Sequence, residues 1–453
     1  MAENERLAIL VLNQDWFVNE LRELGHRVVS AGWVSESLDI YFKFPSTPIK
    51  EVLAMLPSGF KPQRILYLDD SGPLAVTGLA EIDIPTLFYS VDAHHHSWWH
   101  SCFCAVFDKT LVAQKNYIQS LSEYCSGIEW LPLWAPIKIE PAETPTIDVC
   151  FRGNLDPDLH PKRAKFFGEL GQLTNLDAKT GRYAESFPRS KIVVNQSVKD
   201  DLNFRVFEAM MCGALLITPR MNNGLLELFQ EDVHLVTYED GNAQEAAAKC
   251  NYYLEHEEER ARIAAAGREA VCKEHTMMAR ATFLEQRLRD TKVTPRPYRY
   301  FGEGSAVYTS STTVRRISNI LADRLLDQAA KLLIQSASKK EINNNAFMTS
   351  VHFCKYEYEH RGKAEQAIEF IKTIYGFFPD TLLVGLSVIE SLLTAGRRGE
   401  ALEIARHFGP NEQELINMAG PTLAPFRREI VQQLDQAKVR RDNRLSSFIA
   451  EKT

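Results

Sequence analysis

This chain of 453 residues has no C-x-x-C pair, no G-x-G-x-x-G segment, no excess of basic residues and no long apolar run. Each absence excludes a class of function. A membrane-spanning helix needs roughly 20 consecutive apolar residues, and no stretch approaches that, so no membrane span is expected. The opening MAENERLAILVLNQDW holds six apolar residues in a row, too few for the core of a secretory signal. The 8 cysteines, at 102, 104, 125, 150, 212, 250, 272 and 354, are scattered. That spacing reads as reduced thiols in a cytoplasm, not as a disulfide framework. The net charge is −7, whereas a nucleic-acid binder would carry a basic face, so no nucleic-acid partner is expected. Asn13-Gln14-Asp15 stands where a glycine-rich first loop would be, which disfavours an ordinary NAD site.

What is present is a globular composition, 45% hydrophobic and 25% charged, at a length that predicts about two or three domains. Strands are expected at Leu7–Leu12, Arg27–Ser30, Arg64–Leu68, Thr86–Ser90 and Thr110–Ala113, with a helix over Trp16–Leu24. Strands apolar on both faces and separated by helices imply a parallel sheet covered on both sides. The proline-rich stretch WAPIKIEPAETPT, from Trp134, reads as a linker. A second alternation follows: strands at Ile147–Phe151, Lys191–Asn195, Ala214–Thr218 and His234–Thr237, and helices over Lys162–Leu170, Phe204–Met211, Asn242–Glu255 and Glu257–Glu274. Two such units would leave a ligand cleft between the carboxyl ends of their strands. Val293–Gly304 reads as a second linker, after which all signals are helical. There RGKAEQA at Arg361–Ala367 and RGEALEIA at Arg398–Ala405 recur at an offset of 37, suggesting tetratricopeptide-like helix pairs. An unrelated helical bundle is the alternative. The expected domains are 1–136, 137–292 and 305–453.

The most informative stretch is Lys191–Phe229: a buried strand, a polar loop, then a helix whose first turn holds Asn203 and Arg205. Phe204, Phe207 and Met211 would face the sheet, leaving Arg205 and Glu208 on the opposite face. The unpaired N–H groups at that helix start suit a diphosphate, Arg205 adds a charge-assisted contact, and Glu208 suits two ribose hydroxyls. The competing reading is a solvated salt bridge between the pair. Gly213 reads as a helix cap. The loop at Asn222–Gly224, followed by Glu227, offers backbone N–H groups to phosphate or sugar, or is an ordinary turn.

The run NQS…LNFRVFEAMMCGALLIT…NNGLLELF resembles the C-terminal domain of GT-B glycosyltransferases, and most of all the spore-maturation CgeB-like group, which carries N-rVFEalacGa-l-T…gl-elF there. FRGNLDPDLHPKR, with Asn154, is similar to that family's F-x-G-N…h-x-x-R opening, and YYLEHEEERARIAAAGREAV to its closing helices. The resemblance covers roughly residues 60–290. It implies an α/β GT-B fold of two facing Rossmann-like domains, here with an all-α, helical-repeat-like domain appended. It also implies a nucleotide-diphosphate sugar as donor substrate, with no separate cofactor and no metal for the leaving diphosphate. Asp200 and Glu208 stand in a D-x7-E spacing similar to the E-x7-E element of retaining family 4 enzymes, with Asp in the first place. By position, Gly181, Arg182 and Tyr183 would lie at the base.

FYSVDAHHHSWWH, Phe88–His100, brings four of the 12 histidines beside Asp92 and would project into the cleft from the first domain. Three readings compete. His94, His95, His96 and Asp92 have metal donors, but three consecutive histidines cannot all face one ion without an unusual backbone. Some rings could simply hydrogen-bond along the cleft lining. The third reading is catalytic: a histidine poised near neutral pH and held by Asp92, contacting the sugar or acceptor hydroxyl. The resemblance supports the third, since GT-B enzymes often place a histidine on this loop. Trp98 and Trp99 could stack on sugar, and Asp70, Ser71 and Gly72 form a candidate cleft loop. The expected function is glycosyl transfer to an acceptor such as a protein or cell-surface glycan. A degenerate scaffold using its helical repeats, or a nucleotide-sugar epimerase, are the alternatives. Self-association through the helical domain is a further possibility.

Overall fold

The structure, a computed structural model, describes residues 6–69, 71–342, 344–409 and 411–428; Asp70, of the candidate cleft loop, lies outside them. The first unit runs β1 (Ala8–Leu12), α1 (Val18–Glu23), β2 (Arg27–Gly32), β3 (Ile40–Tyr41), β4 (Thr47–Pro48), α2 (Ile49–Met55), β5 (Arg64–Leu68), β6 (Val76–Thr77), β7 (Thr86–Ser90), α3 (Ala93–Phe103), β8 (Lys109–Val112), α4 (Ile118–Leu121) and β9 (Glu129–Trp130). Seven of these strands form a parallel sheet in the order β3-β2-β1-β5-β7-β8-β9, while β4 and β6 pair separately. Every residue of β1 and β7 is buried, the two-sided burial that requires helices on both faces.

The second unit runs β10 (Ile147–Arg152), α5 (Pro161–Leu173), β11 (Leu176–Lys179), α6 (Tyr183–Ser186), β12 (Ser190–Val194), α7 (Phe204–Met211), β13 (Leu215–Pro219), α8 (Leu225–Leu228), β14 (Val236–Tyr238), α9 (Ala243–Glu255), α10 (Glu257–Glu274) and α11 (Met277–Asp290). Its five strands are parallel in the order β11-β10-β12-β13-β14. The chain leaves this unit along α11, which packs back on the first: the Leu288 carbonyl accepts from Arg64 Nε at 2.5 Å, and Glu285 meets His26 Nε2 at 3.1 Å. The outgoing and returning segments are fastened together. Ala135 N–H donates to the His275 carbonyl at 2.9 Å, and the Arg280 guanidinium donates to the Pro132, Leu133 and Glu274 carbonyls.

The remaining described elements are α12 (Arg299–Val314), α13 (Asn319–Ser338), α14 (Asn345–His360), α15 (Ala364–Phe377), α16 (Leu382–Thr394), α17 (Arg398–Phe408) and a helix, α18, that is described over 412–428. The expected linker to Gly304 therefore ends at Tyr298. Its second half is the start of α12, whose buried Tyr300, Phe301 and Glu303 belong to the core. Glu303 accepts hydrogen bonds from the N–H groups of Gly78, Leu79 (3.0 Å) and Ala80 (2.9 Å), and Ser310 Oγ accepts from Leu74 N–H at 2.9 Å. The first unit and the helical region thus share one core.

The repeat also needs correcting. Gly362 (φ 72°) and Gly396 (φ 74°) end α14 and α16 in the left-handed conformation that glycine adopts most readily. Each is followed by the same cap: Lys363 N–H to the Tyr358 carbonyl at 2.9 Å, and Arg397 N–H to the Leu392 carbonyl at 2.8 Å. The equivalent positions are therefore 34 apart, three fewer than the similarity of RGKAEQA and RGEALEIA suggested. Among the described residues, no helix is long and apolar enough to cross a membrane.

Candidate active site

The loop 195–203 carries the chain from β12 to α7. Its turn is organised by Asp201, whose Oδ1 accepts from Ser197 Oγ (2.8 Å) and Val198 N–H (2.6 Å). Lys199 and Asp200 both have positive φ, a costly backbone for non-glycine residues. Asn203 stands at the N-cap of α7 but does not cap it, and its Oδ1 is buried without a partner. The first-turn N–H groups of α7 thus receive no side-chain cap. Phe207 and Met211 are buried as expected, and Phe204 is half-buried against Trp16 and Trp134.

Arg205 leaves α7 towards β10. Its Nε donates to the Arg152 carbonyl at 3.1 Å and its Nη1 to Asn195 Oδ1 at 2.8 Å, with the guanidinium 4.5 Å from the centre of the Phe151 ring. Arg163, on α5, lies against the same ring at 5.8 Å. It donates to Gln196 Oε1 at 3.1 Å and to the Asn154 carbonyl at 3.3 Å. Neither arginine has a carboxylate partner among the described residues. Burial, with the Arg163 charge second, holds Arg205 down at about 10, and burial lowers Arg163 as well. Two cations held close together, neither bonded directly to a carboxylate although Asp201 acts on both and Glu208 on Arg205, favour an anion. Gly153 makes the arrangement possible. A Cβ there would stand 2.7 Å from Arg205 Nη2 and 2.8 Å from Phe151 Cζ.

Glu208 follows one turn along α7. The solvated salt bridge weighed for it is not formed: among the described residues its carboxyl makes neither a hydrogen bond nor an ion pair. Burial pushes it up to about 7, against the opposing pull of Arg205. Burial and the Glu208 charge together raise the Tyr183 phenol, at the start of α6. Gly181 is exposed, 3.7 Å from Arg152 Cδ as measured from where its Cβ would stand. Asn154 Oδ1 accepts from Asp156 N–H at 2.8 Å. Two unpaired guanidinium groups beside an unpaired carboxyl can hold a polyanion next to a diol.

Other expected site residues are engaged differently. Asp200 accepts from Asn116 Nδ2 (3.0 Å) in the first unit and from Asn222 N–H (3.2 Å) in the second. Glu227 pairs with Lys115 of the first unit. Gly224 (φ 83°) lies beneath Trp130, where a Cβ would meet the indole at 2.5 Å. Asn223 Nδ2 donates to Gln114 Oε1 at 2.5 Å, and its Oδ1 accepts from Asn116 N–H at 3.0 Å. In place of an open cleft, these residues form a hydrogen-bonded seam between the units. A side chain at 224 is excluded by the tryptophan.

The histidines lie on a helix, not a loop: His94, His95 and His96 occupy the first turn of α3, with Asp92 at its N-cap. Asp92 accepts a hydrogen bond from Ser71 Oγ. His95 is driven down to about 3 by burial and by His94, and His96 to about 4 by burial and by His100. Both are thus held below the near-neutral range expected of a base, by burial first and by the neighbouring imidazoles second. His94 faces the second unit, with Nε2 4.0 Å from Asp201 Oδ2, and its carbonyl accepts from Lys199 Nζ at 3.1 Å. Trp99 is buried and Trp98 exposed. Among the described residues, no three His, Cys, Asp or Glu side chains converge as metal ligands. Sequence reasoning did not nominate Arg163 or Phe151, although both lie in the quoted FRGNLDPDLHPKR.

Residues 140–286 match the family model described as glycosyl transferase-like. The match takes in the second unit, which holds both arginines and Glu208, and leaves the first sheet and the helical region outside. The chain matches none of the curated proteins. Similar solved structures include a glycosyltransferase from Rickettsia africae ESF-5 (12% identity, 63% of this chain and 98% of that one, TM-score 0.44). A sucrose-phosphate synthase from Thermosynechococcus elongatus is similar at 10% identity over 63% of this chain and 99% of that one, TM-score 0.44. Anabaena HepE in complex with UDP-glucose is similar at 11% identity over 63% and 100%, TM-score 0.41.

Proposed function

We propose that this protein transfers a sugar from a nucleotide-diphosphate donor to an acceptor. The observation that carries the reading is the pair of guanidinium groups on Phe151, neither bonded to a carboxylate among the described residues, with the Glu208 carboxyl one helical turn along α7. In this reading Arg163 and Arg205 hold the diphosphate, and Glu208 accepts from the ribose hydroxyls. An acceptor oxygen attacks the anomeric carbon, the bond to the diphosphate oxygen breaks, and the arginines stabilise the charge that develops there. The imidazoles of α3 face the second unit from the acceptor side, where His94 would orient the acceptor or the sugar. In this reading the two guanidinium groups take the place of a divalent cation, and chelation should leave the rate of transfer unchanged. Tyr183 stands near the Glu208 carboxyl that would hold the ribose, Asn154 and Gly181 border the anion site, and Asn203 leaves the α7 amides open. The acceptor in this reading is a protein or a cell-surface glycan and the location cytoplasmic. We also read the second unit as CgeB-like and the helical region as tetratricopeptide-like, self-association through that region included.

The test is binding of UDP-, GDP- and dTDP-sugars followed by thermal shift. A ligand at one hundred times its Kd raises stability by about 2.7 kcal/mol. Arg205→Ala and Arg163→Ala should each weaken the bound donor at least tenfold and abolish transfer while far-ultraviolet circular dichroism stays unchanged. Wild-type binding in both variants would remove the assignment. One observation favours a second reading. The seam engages Asp200, Gly224 and Glu227 with the first unit, as expected of a scaffold that binds nucleotide without transfer. Donor binding with no product for any acceptor would select it.

A further inference from the structure

Away from the candidate active site, α14 and α16 face each other through polar side chains arranged as a ladder. His352 Nε2 meets Ser387 Oγ at 2.5 Å, and Lys355 Nζ meets Glu390 Oε2 at 2.7 Å. Tyr356 OH donates to the same Glu390 oxygen at 2.7 Å. Lys355 and His352 are wholly buried. A buried ion pair of this kind holds two helices no better than apolar residues of similar volume would, so its chemistry points to something other than stability.

The end of α18 lies on this strip. The Phe426 ring stacks on the His352 imidazole at 4.6 Å with 9° between planes, and Arg427 Nη2 sits 2.7 Å from Glu390 Oε1. Arg427 also reaches the Tyr356 ring at 5.9 Å. Ile416, Ala419 and Leu423 anchor the helix in the core. Pro421 and Pro425 lack N–H groups, so its last turns lose two helical hydrogen bonds, and the Arg427 side chain remains 47% exposed. Aromatic ring and guanidinium sit on imidazole and carboxylate as a ligand would, on a segment weakly held by its own backbone.

We propose that the strip on α14 and α16 is a docking surface for a separate polypeptide that presents an aromatic residue followed directly by arginine. The last two turns of α18 occupy it as a tethered self-ligand. A tethered competitor acts at an effective concentration in the millimolar range, so it masks the strip until a partner of higher affinity displaces it.

The test uses a fluorescein-labelled synthetic peptide of residues 416–428 and the full-length chain, read by fluorescence anisotropy. The variant Leu423→Ala/Phe426→Ala/Arg427→Ala should bind the peptide at least tenfold more tightly than the wild type. The same peptide with alanine at the positions of Phe426 and Arg427 should not bind, and adding Glu390→Gln should reverse the gain. Should the triple variant lose helicity by circular dichroism, Arg427→Ala alone serves, with a gain of several-fold. A folded variant that binds neither peptide, or both equally, overturns the proposal. A wild-type dimer in light scattering that Arg427→Ala abolishes would assign the strip to a second copy and overturn the separate partner.

Discussion

Replacing Glu208 with glutamine should stabilise the empty protein and at the same time deprive it of its donor. The carboxyl ionises near its ordinary 4.5 in the unfolded chain and is pushed up to about 7 by burial in the folded one. Below the lower value both states are protonated and nothing is lost. As pH rises from there through about 7, the folded state must carry a desolvated carboxylate and stability falls. The full shift corresponds to about 3 kcal/mol at pH 8. Water reaching the half-buried group reduces this, so roughly 1–2 kcal/mol is the expected gain in Glu208→Gln. Thermal unfolding at pH 8 should then rise by about 1–2 °C for a chain of this length, whereas at pH 4 the two proteins should coincide. Calorimetry supplies the second half of the test. Binding a nucleotide sugar at pH 7 should release roughly half a proton per site in the wild type, as the ribose hydroxyls stabilise the ionised carboxylate. The variant should show no release and weaker binding. A glutamine variant that is no more stable at pH 8, yet binds donor normally with the same proton release, refutes the role given to Glu208.

Three further outcomes follow from named contacts. Gly153→Ala should drive the Arg205 guanidinium off its seat; donor affinity should fall at least tenfold in calorimetry while the melting temperature changes little, and unchanged affinity would mean the guanidinium does not act from there. Glu303→Ala should strand three buried N–H groups and cost about 3–5 kcal/mol, read as a lower midpoint in urea unfolding, with a loss under 1 kcal/mol contradicting the docking of α12 on the first unit. His95 and His96 are held down to about 3 and about 4 against an ordinary 6.5, so the folded state resists protonation that the unfolded chain accepts. The histidines' own contribution to stability should be intact above pH 6.5 and be lost as pH drops towards 4, and His95→Gln/His96→Gln should flatten that acid-side slope in scanning calorimetry.

The alternation of apolar runs made both parallel sheets legible, because strands such as β1 and β7 must be apolar on each face. Arg205 and Glu208 could be set on one face of α7 from their spacing alone. What escaped were the features set by distant partners. The short strands β3, β4, β6 and β9 carry too few residues for any periodicity to show. The strand β11 is only half-buried, so its pattern is mixed. The histidine run looked like a loop since polar rings rarely open a buried helix. Nothing local indicates that the imidazoles of this run will crowd together and that burial will lower His95 and His96. Arg163 was visible in the motif, but its role depends on Phe151 standing between it and Arg205, although Phe151 and Arg163 lie 53 and 41 residues before Phe204 at the start of α7, on a different strand and helix.

The sequence by itself determined the local terms: which segments are apolar enough to be strands, where prolines interrupt them, and which charged residues share a helical face. Only the tertiary structure decided which charges are left without partners. Arg205 and Glu208 could have neutralised one another across one turn of α7, and packing against Phe151 and Asn195 separates them instead. Desolvation and pairing depend on what the rest of the chain brings within a few ångströms, and that information is held by the packed core and not by any one segment.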